Sequence, residues 1–220
     1  MKELIVDDPK AIALIGGAQL APQHLNILQT LTETFVAADS GADHLLAAGM
    51  TPKAVIGDFD SLSVQSRLEF APYLIHLAEQ DTTDLEKTLT RINAPVLIGA
   101  GFLGGRLDHS FAAFNVLARF EQMPLILLSD TDCCFRAPTG EWSIDLPPAT
   151  PFALLPMGEA VVSSTGLVWD MDGMALSPTG RVSSSNRTAA ARVDVRIAGP
   201  VIVTLPLDQL PAAIDVVRVE

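Results

Sequence analysis

Short apolar runs recur through the first half of the chain, and each ends in glycine or in a polar, often acidic, segment before helical spacing begins. Ala11 to Ile15 closes on Gly16-Gly17, Phe35 to Ala38 on Asp39-Ser40-Gly41, and Ala54 to Ile56 on Gly57-Asp58-Phe59-Asp60-Ser61. Tyr73 to Leu77 precedes Gln80-Asp81-Thr82-Thr83-Asp84, Pro95 to Ile98 runs into Gly99, Gly101, Gly104 and Gly105, and Leu125 to Leu128 closes the half. Runs this short and this uniformly apolar suit strands buried on both faces. Alternation with helical segments predicts an α/β arrangement, a mostly parallel sheet flanked by helices. In open sheets of that kind ligands bind beyond the carboxyl ends of the strands, and that is where the acidic and glycine-rich segments fall.

The intervening helices carry their own signals. Gln23 to Thr32 is one; another takes Leu45 and Leu46 inward and stops at Gly49, with Pro52 beyond. Thr83 and Glu86 have capping-box spacing, starting a helix with Leu85, Leu89 and Ile92 as its buried stripe and Asp84 one turn before Lys87. Leu107, Phe111, Phe114 and Leu117 recur at helical spacing and are expected in the core.

From about Asp130 the texture changes. Pro138, Pro147, Pro148, Pro151 and Pro156 exclude long helices, while Trp142, Ile144 and Leu146 alternate with polar neighbours as a strand does. Val193, Val195 and Ile197 repeat the alternation before Ala198-Gly199-Pro200, after which Val201 to Leu205 is expected to return as the hairpin partner. The expected organisation is a Rossmann-like α/β domain over residues 1–135 and an antiparallel β domain over 136–220.

The formal net charge of -12 argues against nucleic acid or an anionic membrane as partner, since both reward clustered Lys and Arg. An acidic protein that handles a phosphorylated substrate needs a divalent cation to offset the repulsion. With 49% hydrophobic and 18% charged residues, the chain has material for a packed core rather than a disordered ensemble. Cys133 and Cys134 are adjacent, a poor arrangement for a disulfide and too few for zinc, so a reduced, cytoplasmic setting is the expectation. Lys2, Glu3, Asp7 and Asp8 precede any apolar run, which does not read as a signal peptide.

In an extended chain, side chains at i and i+2 share a side, so Asp58 and Asp60 can face one cation while Phe59 turns into the core. Magnesium sits on one or two carboxylates plus substrate phosphates, which makes the pair a candidate site; two turn-capping aspartates are the alternative. Four strand exits carrying such chemistry favour the metal. No G-x-x-x-x-G-K-[ST] cradle is present, and the Gly101 to Gly105 loop does not satisfy the dinucleotide fingerprint. An acidic site beside Lys87 and Arg106 suits phosphoryl transfer by positioning and charge neutralisation.

The ordered set Ala38-Asp39-Ser40-Gly41-Ala42, Ile56 to Ser61, Gln80 to Asp84 and Gly104-Gly105-Arg106-Leu107-Asp108-His109 resembles the thiamine pyrophosphokinase family. The likeness continues into Thr165-Gly166-Leu167-Val168-Trp169 and Ser183-Ser184-Ser185-Asn186. It implies transfer of the diphosphate of ATP to the hydroxyethyl oxygen of thiamine, giving thiamine diphosphate and AMP. Asp58, Asp60 and Asp84 would then hold magnesium on the ATP phosphates. Asp39, Gln80, Lys87, Arg106 and His109 would belong to the nucleotide site, and Asp108 would lie near the reacting centre, orienting groups or assisting removal of the hydroxyl proton. Ser183, Ser185 and Asn186 match the segment lining the thiamine pocket. The resemblance also implies a C-terminal β-sandwich and a homodimer with active sites at the subunit interface.

Departures from the family pattern are Ser40-Gly41 and Asp43, where two glycines and an asparagine are usual, and Arg187-Thr188, where some members carry an aromatic. Asp43 reads either as a contact for cationic thiamine or as a solvated helix-start residue. Trp169, between Val168 and Asp170, reads as core, with a place near the thiamine pocket as the alternative. His24, His44 and His76 lack metal-ligand spacing. Two other functions fit the same residues: diphosphate transfer to a pterin or other heterocyclic alcohol, and nucleotide or thiamine sensing without turnover. The number of retained acidic residues counts against the sensor.

Overall fold

The computed structural model describes residues 4–218; Lys2 and Glu3, which bore on the question of a signal peptide, lie outside them. Two compact units are present, one of residues 4–116 with 127–129 and one of residues 117–126 with 130–218. Among the described residues, no helix is long and apolar enough to cross a membrane.

In the first unit the elements run β1 (Val6–Asp7), β2 (Ile12–Ile15), α1 (Pro22–Leu31), β3 (Thr34–Ala38), α2 (Gly41–Ala47), β4 (Ala54–Gly57) and α3 (Val64–Glu69). They continue with β5 (Leu74–His76), α4 (Asp84–Leu89), β6 (Ile92–Asn93) and β7 (Leu97–Ala100); α5 (Leu107–Arg119) and β8 (Leu125–Leu128) each have residues in both units. β2 pairs with β3 and β7, β3 with β4, and β4 with β5, every pair parallel. All four residues of β2 and of β4 are buried, which is why these segments show no polar alternation. Each Ile or Leu so enclosed is worth about 1.5–3 kcal/mol of transfer free energy.

The helices cover this sheet with the side chains their spacing indicated. Leu28 of α1, Leu45 of α2, and Leu85 and Leu89 of α4 are buried, as is Ile92 beyond α4. At the β3 to α2 junction only glycine fits at position 41. A Cβ there would run into the backbone of Ile15. β1 and β6 form a two-stranded parallel sheet too short to carry a readable pattern.

The apolar stripe of α5 departs from expectation. Leu107 is 70% and Phe111 63% exposed, whereas Ala113, Val116 and Leu117 are buried. At 100° per residue those three define a face turned away from positions 107 and 111; of the expected stripe Leu117 is in the core, Phe114 is half-buried, and Leu107 and Phe111 are exposed.

The second unit holds β9 (Asp132–Arg136), β10 (Gly140–Asp145), β11 (Ala153–Pro156), β12 (Ala160–Thr165), β13 (Met174–Leu176), β14 (Arg192–Ala198), β15 (Val201–Pro206) and α6 (Leu210–Val217). One antiparallel sheet has the order β10-β14-β12-β13. Separately, β15 pairs antiparallel with both β9 and β11. The hairpin expected across Gly199 is therefore not formed. Both edges of β14 are already taken, by β10 and β12, and the turn sends the chain to another sheet. Their burial tells the same story: β14 alternates strictly between exposed and buried, while β15 begins with three buried residues in a row. α6 was not foreseen among the prolines; Pro211 lies in its first turn, where no amide donor is needed.

Candidate active site

Asp58 follows β4 directly, and the chain then leaves the extended state. Phe59 has φ +66°, a left-handed conformation that costs an aromatic residue about 1–2 kcal/mol. Its ring is buried and tilts against His76, with centroids 5.6 Å apart. The carboxylates of Asp58 and Asp60 are thus brought together by a turn at Phe59 and not by the i, i+2 geometry of a strand. The Asp60 amide donates to Asp58 Oδ1 at 3.2 Å, and Ser61 Oγ donates to Asp60 Oδ1 at 2.9 Å.

A third carboxylate comes from the neighbouring strand. Ala38 is in register with Ile56, so Asp39 lies across from Gly57. A Cβ at position 57 would sit 2.9 Å from Asp39 Cβ and 3.1 Å from its Oδ1; glycine makes room for the aspartate. Asp39 is 3% exposed, and its Oδ1 is buried with no hydrogen-bond partner. Carboxylate oxygens of Asp39, Asp58 and Asp60 all lie within 4.8 Å of one another. Magnesium holds oxygen at about 2.0–2.1 Å, which sets opposite ligands of an octahedron about 4 Å apart, so this set suits a small divalent ion. The unpartnered buried oxygen of Asp39 is the atom such an ion would satisfy.

Part of the acidic charge is offset by Lys87, 2% exposed on α4. Its Nζ donates to Asp58 Oδ2 at 2.8 Å and to Asp84 Oδ1 at 3.1 Å. Thr83 caps this helix as its spacing indicated, accepting from the Glu86 amide at 3.2 Å. Gln80 donates to Asp58 Oδ2 at 2.9 Å from a loop shaped by Glu79, which accepts from the amides of Asp81 and Thr82. The hydrogen bond from Lys87 holds the Asp58 carboxyl down at about 2. Burial pushes Asp39 up, helped by the negative charges of Asp84, Asp58 and Asp60. Burial also pushes Asp84 up, against the opposing pull of Lys87. For Lys87 burial works downward, and the bonds to Asp58 and Asp84 outweigh it, leaving its pKa raised.

The structure therefore gathers Asp39, Asp58, Asp60, Gln80, Asp84 and Lys87. The tightest carboxylate trio contains Asp39, with Asp84 joined to it through Lys87. That role for Asp39 was not legible in the chain, because it depends on which strand lies beside β4 and in what register. Arg106 and Asp108 form an exposed two-pronged pair, Nε to Oδ1 at 3.1 Å and Nη2 to Oδ2 at 2.6 Å. Each stabilises the other's charge, raising the Arg106 pKa and lowering that of Asp108. His109 beside them is exposed.

Asp43 is half-buried in the first turn of α2. It accepts hydrogen bonds from Ser63 Oγ at 2.6 Å and from the buried Ser66 hydroxyl, fastening α2 to α3.

In the second unit, Asn186 is 3% exposed and both ends of its amide are hydrogen-bonded. Nδ2 donates to the Trp169 carbonyl at 2.9 Å, and Oδ1 accepts from the amides of Trp169 and Arg187 at 3.2 and 2.9 Å. Ser185, with φ +60°, is exposed; Ser183 pairs through its backbone with Leu154. Trp169 is not core: it is 60% exposed on a loop that Asn186 pins from beneath. The clue lay one residue on, where Asp170 accepts from the Leu167 amide at 2.9 Å, the local bonding that marks a turn rather than a strand.

Comparison with known sequences bears on both units. Residues 26–127 match the family described as thiamin pyrophosphokinase, catalytic domain, and residues 144–202 match thiamin pyrophosphokinase, vitamin B1 binding domain. The chain belongs to the thiamin pyrophosphokinase family. Thiamin pyrophosphokinase 1 of Caenorhabditis elegans is 31% identical over 74% of this chain and 74% of its own. Thiamine pyrophosphokinase 1 of rice, Oryza sativa subsp. japonica, is 30% identical over 91% of this chain and 89% of its own. The thiamin pyrophosphokinase structure from Candida albicans shares the fold, with a TM-score of 0.77 at 18% identity over 89% of each chain. Within this family's architecture, Asp39, Asp58, Asp60, Asp84 and Lys87 all fall in the catalytic-domain match, and Trp169 and Asn186 in the vitamin-binding match.

Proposed function

We propose that this enzyme transfers the diphosphate of ATP to the hydroxyl of thiamine, releasing AMP, with its own carboxylates holding magnesium on the nucleotide's phosphates. The observation that carries this reading is the convergence of Asp39, Asp58 and Asp60, one of them presenting a buried oxygen that nothing in the protein satisfies. Magnesium would supply charge neutralisation on the transferring phosphates, a contribution of several kcal/mol. The acceptor's hydroxyl oxygen bonds to the β-phosphorus as the bond from that phosphorus to the α,β-bridging oxygen breaks, AMP leaves with that oxygen, and the hydroxyl proton passes to solvent.

The chain's own groups have distinct parts in this proposal. Asp39, Asp58 and Asp60 hold the ion, with Asp84 beside them. Lys87 keeps Asp58 ionised and limits the repulsion within the acidic group. Gln80 orients Asp58. Arg106, just before α5, and His109, in its first turn, contact the nucleotide. Asp108, paired with Arg106, orients groups at the reacting centre or assists removal of the hydroxyl proton. Ser183 and Ser185 line the acceptor pocket; Asn186 acts by holding the loop of Trp169, whose exposed indole offers a face to a cationic heterocycle.

The reading extends to a Rossmann-like nucleotide domain over residues 1–135, a β-sandwich acceptor domain over 136–220, a cytoplasmic enzyme, and a homodimer with active sites at the subunit interface. Incubation with ATP, magnesium and thiamine, followed by phosphorus NMR, is expected to yield thiamine diphosphate and AMP. Light scattering on the same sample is expected to give twice the monomer mass. AMP formed only with a pterin alcohol, or ligand binding without AMP, would displace this function.

A further inference from the structure

The turn that brings Asp58 and Asp60 together is held from outside. Phe59, between the two carboxylates, has its ring locked in the core against His76, yet its carbonyl faces α3, where Arg67 Nη2 donates a hydrogen bond to it. α3 is itself fixed. Ser63 caps it by accepting from the Ser66 amide at 3.1 Å, and both serine hydroxyls donate to Asp43 of α2. α2 begins two residues after Asp39. A closed circuit results: Asp39, α2, Asp43, α3, Arg67, the Phe59 carbonyl, and back to Asp58 and Asp60.

We propose that Arg67 is a positioning residue for the metal site, setting the separation and direction of the Asp58 and Asp60 carboxylates through the Phe59 carbonyl. This inference rests on the reading of Asp39, Asp58 and Asp60 as cation ligands. The Phe59–Asp60 peptide is held at both ends, its carbonyl by Arg67 and its amide on Asp58 Oδ1 at 3.2 Å. Without Arg67 only the amide's bond opposes rotation of that plane, and the rotation turns the amide off Asp58 and frees the two carboxylates to separate. Arginine suits the task because its planar fork gives a directed donor; lysine brings the charge but only a point donor on a flexible stem. Arg67 touches neither reacting atoms nor, on this reading, the ion, so its effect is transmitted through backbone.

The test uses Mn²⁺ as probe on the full chain, with free ion followed by electron paramagnetic resonance in the absence of nucleotide, alongside steady-state kinetics. Arg67→Met is expected to weaken Mn²⁺ binding by about fivefold or more, to raise the magnesium needed for half-maximal rate in proportion, and to leave the thiamine KM within about twofold. Arg67→Lys is expected to fall between, at about two- to threefold. If Arg67→Met does not fold, as judged by circular dichroism, Arg67→Lys carries the test alone. Folded variants that bind Mn²⁺ as the wild type does would overturn the inference while leaving the function untouched. Wild-type protein that neither binds Mn²⁺ nor forms AMP would overturn the metal reading itself.

Discussion

Asp39 is the residue on which the site's energetics turn. Its buried oxygen has no partner and burial raises its pKa from the ordinary 3.8, so the folded chain binds the proton more tightly than the unfolded chain does. The cost of ionising it is fully present above its folded pKa and is relieved as pH falls through that value. Asp58 behaves in the opposite sense: its pKa of about 2 contributes stability above 3.8 that is lost as pH drops toward 2. Asp39→Asn is therefore expected to raise the melting temperature of metal-free protein at pH 7 by about 2–4 °C in calorimetry. The same variant should lose the stabilisation that magnesium gives the wild type, together with at least about tenfold in turnover. Asp58→Asn and Asp60→Asn are each expected to lower turnover by at least about tenfold with the fold intact; wild-type rates at limiting magnesium would refute their assignment. Spacing alone exposed the Asp58 and Asp60 pair and the Asp84 to Lys87 bridge, since these are local in the chain. The company Asp39 keeps is a matter of strand register, which no local pattern encodes.

Among the elements, the parallel strands were legible because burial on both faces leaves an uninterrupted apolar run, and α4 because its cap and stripe agree. The antiparallel third was legible strand by strand but not in its pairing. β14 and β15 adjoin across the two residues Gly199 and Pro200, and proximity suggests a hairpin; the competing fact is that β10 and β12 occupy both edges of β14. Gly199 makes the departure possible, with φ +109° and no room for a Cβ, which would meet the Glu159 carbonyl oxygen and lie 2.9 Å from Ala160 Cα. Gly199→Ala is expected to cost about 1–3 kcal/mol in denaturant unfolding, with activity per folded molecule unchanged. A neutral result would mean that the turn relaxes freely. α5 teaches a related lesson. Leu107 and Phe111 satisfied a helical repeat and are exposed, because periodicity defines a stripe but not which neighbour, if any, covers it.

At the scale of the molecule, the -12 net charge and the acidic cluster belong to one electrostatic problem, that of admitting an anionic nucleotide to an anionic protein. The net charge was plain from composition; the buried counter-charge of Lys87 was not, since exposure is a property of the fold. Charge is concentrated outside, and the interior of the second unit contains something quieter. Cys133 and Cys134 stand side by side on β9, buried and without a disulfide, and burial pushes the Cys133 thiol up to about 12. A sulfhydryl so far from its nucleophilic form, and out of reach of solvent, is inert to alkylation. Iodoacetamide is expected to leave both untouched in native protein over minutes and to label both in guanidinium, as mass spectrometry would record. The strand thus holds a built-in clock: the pace of alkylation under mild conditions would time how often this layer of the molecule breathes open.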